Sequence, residues 1–189
     1  MKKNKITELN GWGSFVDAKT VAVTADDGSV DNVTFDNCII AAGATAKLLP
    51  GTQKSANVLT YQELILSEQL PSSIIIGGSG AIGTEFAYVL NAYGVDVTVV
   101  EYLDRMVPTE DAEVSAELAK AYRKLGIKVL TSTAVKSVVD TGSGVQVTIE
   151  PAKGGEQQVL TADKMLQAMG FAPRIEGYGL DKTGGQLTQ

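Results

Sequence analysis

Residues 72–101 read SSIIIGGSGAIGTEFAYVLNAYGVDVTVVE, and this stretch decides the fold. An aliphatic run enters a Gly-x-Gly-x-x-Gly turn at Gly78, a helical period follows, and a second aliphatic run ends at Glu101. This order predicts a strand, a glycine turn, a helix and a second strand, the pattern of a Rossmann-like βαβ unit. The apolar face predicted for the helix consists of Ile82, Phe86, Val89, Leu90 and Tyr93.

Each glycine of the turn has a role if a dinucleotide binds there. Gly78 allows the tight turn out of the strand, and Gly80 lacks the Cβ that would hold a pyrophosphate away from the main chain. Gly83 allows the helix to pack close to the strand. The unpaired N–H groups of the first helical turn then face the phosphates, so the pattern predicts a dinucleotide site without a cationic side chain.

Glu101 is the acid expected at the end of the second strand. It follows Gly78 by 23 residues, close to the roughly 20 expected for the acid that bonds a ribose 2′-hydroxyl. A carboxylate accepts a hydrogen bond from this hydroxyl but repels a 2′-phosphate, so NAD is predicted rather than NADP. We interpret the nearby Arg105 as a solvated charge.

Composition excludes several classes of protein. The 189 residues are 44% hydrophobic and 20% charged, as in ordinary globular domains, and the net charge is −6 with no basic cluster. The sequence therefore predicts no nucleic-acid partner and no membrane partner. Because it contains neither a membrane span nor a signal-peptide core, we expect a cytoplasmic protein.

Residue types that carry much enzyme chemistry are missing. There is no histidine, the commonest general base near neutral pH. Cys38 is the single cysteine, which excludes an intrachain disulfide and a thiol-based metal cluster, and we interpret it as a buried structural thiol. We predict no catalytic residue and no metal ligand, so any chemistry depends on bound cofactors.

The N-terminal sequence predicts strands. In residues 1 to about 40, apolar and polar residues alternate, which predicts a small antiparallel meander with Trp12 and Phe15 on its buried face. Residues 38–43 are apolar enough for a strand buried on both faces. No amphipathic helix precedes them to cover such a strand, which indicates that the chain is part of something larger.

Beyond these strands, helices and strands alternate. Thr60 and Glu63 form a capping box for a short helix that ends near Ser67. A further amphipathic helix is predicted after Glu101 from the apolar face of Val114, Leu118, Tyr122 and Leu125. The remaining strands are a third parallel strand at 128–130, a second meander at 145–160 and a buried strand at 165–169. The predicted fold class is α/β, a Rossmann-like parallel sheet with helices and a β-meander, preceded by a short antiparallel β segment.

Five motifs in order resemble a known family. They are CIIAAGA, LPGT, the stretch from Leu70 to Glu101, LGIKVLTSTAVKSV and AMGFAPRIEGYGL. Together they resemble the middle of the dihydrolipoamide dehydrogenases, particularly the actinobacterial form, among the flavin-dependent disulfide reductases. The resemblance implies a partial flavin-domain segment at 1–57 and an NAD-binding domain at 58–189.

The resemblance also implies which residues contact the coenzyme. They are Gly78, Ser79, Gly80, Ala81, Ile82, Gly83, Thr84, Glu85, Glu101, Val135 and Gly170. Two of them have alternative interpretations. Glu85 also suits the dipole of a first helical turn, and Val135 also suits core packing.

Several parts of the family pattern have no counterpart in this sequence. These are the N-terminal flavin-binding glycine turn, the CxxxxC redox pair, a later flavin-contacting Gly-Asp segment, the catalytic His-Glu pair and the dimerisation domain. Ala41-Ala42-Gly43 stands where the family usually has ATG, and 170–174 departs from the frequent GRxPN. The FAD site implied by the resemblance is therefore incomplete in this chain.

The resemblance implies that this chain holds NAD⁺ against FAD that dihydrolipoyl groups have reduced, and that it does not turn over alone. The implied partners are NAD(H), the lipoyl-bearing subunits of 2-oxoacid dehydrogenase complexes, and a second copy in a homodimer. Three alternatives stay open: another flavoprotein disulfide reductase, a non-catalytic NAD-binding module, and a self-contained Rossmann dehydrogenase. A complete catalytic set for the last is not found in the sequence.

Overall fold

The computed structural model describes residues 2–188, and its chain forms two compact units. One unit comprises Thr45–Ala172, and the other comprises the described parts of Met1–Ala44 and Pro173–Gln189. A pair of short strands, β4 (Ala44–Ala46) and β13 (Phe171–Pro173), contains both points at which the chain passes between the units. Among the described residues, no helix is both long and apolar enough to cross a membrane.

A five-stranded parallel sheet lies at the centre of the larger unit. Its βαβαβ part consists of β6 (Ser73–Gly77), α2 (Ala81–Ala92), β7 (Asp96–Val100), α3 (Ala112–Lys124) and β8 (Lys128–Leu130). The strand order is β5-β12-β6-β7-β8, in which β5 is Val58–Leu59 and β12 is Lys164–Gln167, and every neighbouring pair is parallel. The predicted Rossmann-like α/β class is confirmed.

A meander connects β8 to β12. It consists of β9 (Thr133–Asp140), β10 (Val145–Pro151) and β11 (Gln158–Ala162), all antiparallel. The alternation of side chains along β6 places its residues in two cores. Ile74 and Ile76 pack in a cluster with α2 and α3, whereas Ile75 packs with Val145 and Val147 of the meander. Strands buried on both faces explain the continuous apolar runs in the sequence.

The helices form where predicted, but their buried faces differ from the predicted ones. In α2 the buried residues are Gly83, Thr84, Ala87 and Leu90, while Val89 and Tyr93 are exposed. In α3 the buried residues are Ser115 and Tyr122, while Val114 and Leu125 are about half exposed. The small residues Gly83, Thr84 and Ala87 on the buried side of α2 let the helix approach the sheet closely, and Leu90 is the bulky residue buried beside them.

The short helix α1 (Tyr61–Ile65) begins at its predicted cap. The main-chain N–H of Thr60 donates to the Glu63 carboxylate at 2.9 Å, and the Thr60 hydroxyl donates to the same oxygen. The helix ends two residues before the predicted Ser67. The capping box is confirmed.

The smaller unit contains the predicted N-terminal meander. Its strands are β1 (Trp12–Asp17), β2 (Thr20–Thr24) and β3 (Val30–Thr34), and two 3₁₀ turns lie at Lys2–Asn4 and Leu180–Thr183. Phe15 is 5% exposed and packs against the rings of Phe35 and Tyr178. Trp12 is 58% exposed, so its predicted burial is wrong. Residues three apart on a strand point to opposite faces, so Trp12 and Phe15 do not share one.

The predicted buried strand at 38–43 is also wrong. These residues have no regular secondary structure, and Ile39 is 93% exposed. Cys38 is exposed rather than buried. A strand buried on both faces needs a covering layer on each side, and the described residues of this unit do not supply one.

The boundary of the compact units also differs from the predicted division at 57 and 58. Residues 45–57 belong to the unit that contains the glycine turn. Gln167 of β12 accepts a hydrogen bond from the Leu49 N–H at 2.6 Å and donates to the Thr52 hydroxyl at 3.0 Å. Such contacts join this connector to the parallel sheet. The two family domains at 1–57 and 58–189 stay a proposal.

Asp140, at the end of β9, joins the meander to the segment before β5. Its carboxylate accepts hydrogen bonds from the Ser55 hydroxyl, from the Asn57 amide at 2.8 Å and from the Gly142 N–H at 2.8 Å. These donors favour the ionised form, the Ser55 hydroxyl most strongly, and they lower the pKa of Asp140 to about 2.

Replacement of Asp140 with asparagine should therefore destabilise the fold in a pH-dependent way. Because the folded-state pKa is depressed, the stabilisation is fully present above the unfolded-state pKa of about 4 and is lost as the pH falls through about 2. Thermal melts should show a lower midpoint for Asp140→Asn at pH 7 and a difference that shrinks below pH 4. Asp96→Asn, at an exposed carboxylate of β7, is the matched control. A constant difference down to pH 2 would contradict this assignment.

Candidate functional site

The turn after β6 requires glycine at its first position, Gly78. Gly78 has a φ of 103°, and a Cβ there would lie 2.4 Å from the main-chain oxygen of Ala168. Its N–H donates to the Val100 oxygen at 2.8 Å. Glycine is thus required at 78 both by the backbone conformation and by the close approach of the segment after β12.

Of the other two glycines of the motif, Gly83 is closely surrounded by protein atoms and Gly80 is not. A Cβ on Gly83 would lie 2.0 Å from the main-chain oxygen of Gly78, so α2 packs directly against the turn. A Cβ on Gly80 would meet nothing within 4 Å. Protein packing therefore explains Gly83 but leaves the absence of a side chain at Gly80 unexplained, as expected where a ligand approaches the main chain.

Gly80 is the N-cap of α2, and the helix begins with free donors. The first intrahelical hydrogen bond runs from the Thr84 N–H to the Gly80 oxygen at 3.0 Å. The N–H groups of Ala81, Ile82 and Gly83 precede this bond and have no partner within the helix. Such donors, together with the positive end of the helix dipole, suit an anion.

Glu101 follows β7 and lies beside the same turn. It is only 7% exposed, and among the described residues no lysine or arginine pairs with its carboxylate. Its Oε2 accepts from the N–H and the hydroxyl of Ser79 at 2.8 and 2.7 Å, and its Oε1 accepts from the Leu103 N–H at 2.9 Å. A buried carboxylate without a cation is thus held by three hydrogen-bond donors.

The turn lies at the carboxyl edge of the parallel sheet, where the strand order reverses. From β6 the chain proceeds through β7 to β8 on one side, and β12 occupies the other side. Such a switch point creates the crevice in which open α/β sheets bind ligands. The glycine turn, Glu101 and the segment after β12 meet at this edge, as the sequence predicts for a dinucleotide site.

Four of the predicted contact residues have distinct surroundings. Thr84 is buried, and its hydroxyl donates to the oxygens of Gly80 and Ala81 at 3.0 and 2.9 Å. Glu85 is exposed on α2. Val135 packs against the apolar cluster of the meander, and Gly170, with a φ of 94°, is exposed beyond β12. Thr84 is thus hydrogen-bonded within the first turn of α2, and Val135 is a partly buried residue at the edge of an apolar cluster.

A loop contact that sequence reasoning missed supports the turn. The N–H of Val107 donates to the Ser79 oxygen at 3.0 Å, and the neighbouring Met106 is completely buried. Val107 has a φ of 39°, an uncommon conformation for a β-branched residue. Nothing in the local sequence distinguishes this loop, because the contact joins residues that are distant in the chain.

The geometry fits a dinucleotide. The surface over Gly80 is open where a Cβ would stand, the donors of α2 follow it, and the Oε1 atom of Glu101 retains an acceptor position. Among the described residues, no group of three or more Cys, Asp or Glu side chains could hold a metal ion. Arg105 is exposed and donates to the oxygen of Pro108 in its own loop at 3.1 Å.

Comparisons with known proteins agree with this geometry. The sequence model of a family described as "Pyridine nucleotide-disulphide oxidoreductase" matches residues 1–189. The dihydrolipoyl dehydrogenase of Mycobacterium tuberculosis is 59% identical over 188 residues, which cover 100% of this chain and 40% of that protein. The dihydrolipoyl dehydrogenase of Corynebacterium glutamicum is 48% identical over 189 residues, with the same coverage.

A solved structure is also similar. LpdA from Mycobacterium tuberculosis superposes with a TM-score of 0.84 at 31% sequence identity, over 96% of this chain and 40% of that one. The chain thus spans about 40% of the length of the curated relatives it matches.

Proposed function

The chain belongs to the pyridine nucleotide-disulphide oxidoreductase family, and from this premise we propose that it is the NAD-binding portion of a dihydrolipoamide dehydrogenase. The observation that carries the NAD assignment is Glu101, a buried carboxylate beside an open glycine turn, for which the described residues supply no cationic partner. One acceptor position on this carboxylate suits the adenosine ribose. The three N–H groups at the start of α2 suit the pyrophosphate.

The remaining assignments are part of the same proposal. The main chain of Gly78 and of residues 80–83 contacts the pyrophosphate, Glu85 lies on the side of the nicotinamide ribose, and Gly170 lies near the nicotinamide. We assign Thr84 and Val135 to supporting this surface, because their side chains pack inside the protein. Arg105 stays outside the site because it binds its own loop.

In the complete enzyme, NAD⁺ accepts a hydride from FAD that dihydrolipoyl groups have reduced through a disulfide. This chain would bind NAD⁺ and hold its nicotinamide in a fixed orientation beside the flavin, which replaces a chance encounter of the two cofactors. The lipoyl-bearing subunits of 2-oxoacid dehydrogenase complexes and a second copy of the enzyme are its proposed partners. The FAD site implied by the resemblance is incomplete in this chain, and FAD is proposed as a cofactor of the complete enzyme. A cytoplasmic location stays a prediction from the sequence.

Calorimetric titration of NADH into the 189-residue chain tests the proposal. We expect weak but saturable binding and no reduction of NAD⁺ by dihydrolipoamide, because the single cysteine, Cys38, cannot form within this chain the disulfide that would pass electrons from dihydrolipoamide. Absence of heat at millimolar NADH would contradict the NAD assignment. Reduction of NAD⁺ by a simple alcohol without added flavin would instead favour a self-contained dehydrogenase.

Replacement of Glu101 with alanine should weaken NADH binding by about 1–3 kcal/mol, the cost of an unmade hydrogen bond in a desolvated site. NADPH should lose less, because its 2′-phosphate no longer faces a carboxylate. Parallel titrations of both coenzymes into the variant and the parent measure this change. An unchanged NADH-to-NADPH affinity ratio would show that Glu101 does not contact the ribose.

A further inference from the structure

Ser79 lies inside the glycine motif, but its side chain does not face the open surface. The residue is completely buried. Both its hydroxyl and its N–H donate to one oxygen, Oε2 of Glu101, at 2.7 and 2.8 Å. Its own carbonyl oxygen accepts from the N–H of Val107 at 3.0 Å. Every polar group of Ser79 is therefore engaged within the protein.

Because of these contacts, the two oxygens of the Glu101 carboxylate accept different numbers of hydrogen bonds within the protein. A carboxylate has about four acceptor positions, two on each oxygen. The two donors of Ser79 fill those on Oε2, and the Leu103 N–H occupies one on Oε1. One position on Oε1 is left for a ligand. The Ser79 hydroxyl is one of the two donors that hold Oε2, and it therefore helps to keep Oε1 as the oxygen with a free acceptor position.

We propose that Ser79 is a positioning residue for coenzyme selection, which acts through Glu101 rather than by contact with the coenzyme. Its hydroxyl helps to fix the rotation of the carboxylate, so that the free position on Oε1 accepts a hydrogen bond from one ribose hydroxyl. The same orientation keeps the negative charge where it repels a 2′-phosphate. This inference rests on the proposed NAD-binding function and adds to it the residue that sets its specificity.

Loss of the hydroxyl should affect the two coenzymes differently. In Ser79→Ala the N–H donors of Ser79 and Leu103 remain, one on each oxygen, but the carboxylate loses one of its three donors and is held less firmly in the orientation that faces the ribose. We expect the Kd for NADH to rise about fivefold, the order of one net hydrogen bond. The Kd for NADPH should change less than about twofold, so the preference for NADH falls.

A double-mutant cycle separates positioning from direct contact. NADH and NADPH are titrated into the parent chain, Ser79→Ala, Glu101→Ala and the double variant. Since Ser79 acts through Glu101, its replacement should have no effect on NADH binding once Glu101 is alanine. An equal loss in both backgrounds, or an equal loss for NADH and NADPH, would overturn the proposal.

Controls make each outcome decisive. Ser115→Ala is the matched control, because this buried serine of α3 directs its hydroxyl to the Val107 oxygen at 3.5 Å and not to Glu101. If far-ultraviolet circular dichroism shows that Ser79→Ala does not fold, Ser79→Gly, which also lacks the hydroxyl, replaces it in the cycle. A parent chain that binds no NADH overturns the proposed function and this inference together. If the parent and Glu101→Ala bind the coenzymes as proposed but Ser79→Ala binds them like the parent, only the inference about Ser79 is overturned.

Discussion

Gly80→Ala should nearly abolish NADH binding while the protein stays folded. A Cβ at this position meets no protein atom within 4 Å, and the backbone φ of −70° suits alanine. The only expected cost to the fold is the poorer N-cap, about 1 kcal/mol or less. The added methyl group occupies the surface where the pyrophosphate must approach the main chain.

The expected loss of NADH affinity is about 3 kcal/mol, on the order of a hundredfold in Kd, because the methyl group separates the phosphates from the N–H donors of α2. Calorimetry measures the affinity and a thermal melt measures the stability of the same sample. Gly142→Ala is a control for the glycine change, since its Cβ also meets nothing within 4 Å, although its φ of 84° makes it the more strained variant. Undiminished NADH binding by Gly80→Ala would place the pyrophosphate elsewhere.

The glycine turn and the strands beside it could be predicted because their requirements are local. The spacing of Gly78, Gly80 and Gly83 specifies the turn, and the aliphatic runs on either side specify parallel strands buried on both faces. Glu101 could be predicted because the length of the βαβ unit carries the chain back to the same edge of the sheet. Its attachment to Ser79 could not be predicted, because rotation of a carboxylate depends on tertiary contacts.

The failures of sequence reasoning also have physical causes. Hydrophobicity predicts a buried face of bulky residues for α2, whereas close packing on the sheet favours small residues such as Gly83 and Ala87 and leaves Tyr93 exposed. Residues 38–43 have the composition of a buried strand, but composition cannot supply the layers that would cover one. Trp12 illustrates a third cause: its hydrophobicity suggests burial, but the two-residue period of a strand places it on the face opposite to that of Phe15.

Gly83→Ala should have the opposite outcome to Gly80→Ala, a loss of fold stability. In an open helix, glycine-to-alanine replacement stabilises by about 1 kcal/mol. Here the new Cβ would lie 2.0 Å from the main-chain oxygen of Gly78 and 3.4 Å from Cγ2 of the buried Ile76. A main-chain oxygen cannot rotate away as a flexible side chain can, so α2 must move off the sheet, and the clash outweighs the gain in helix propensity.

We expect Gly83→Ala to cost about 3 kcal/mol in the free energy of unfolding, at the upper end of typical overpacking. For a chain of this length, that corresponds to a thermal midpoint roughly 10 °C lower. Gly80→Ala, three residues earlier in the same motif, is the matched control and should melt within about 4 °C of the parent. If the two variants melted alike, helix and turn would not be in the contact that the Gly83 geometry requires. If they diverge as expected, the motif divides into a glycine needed by the fold and a glycine needed by the ligand.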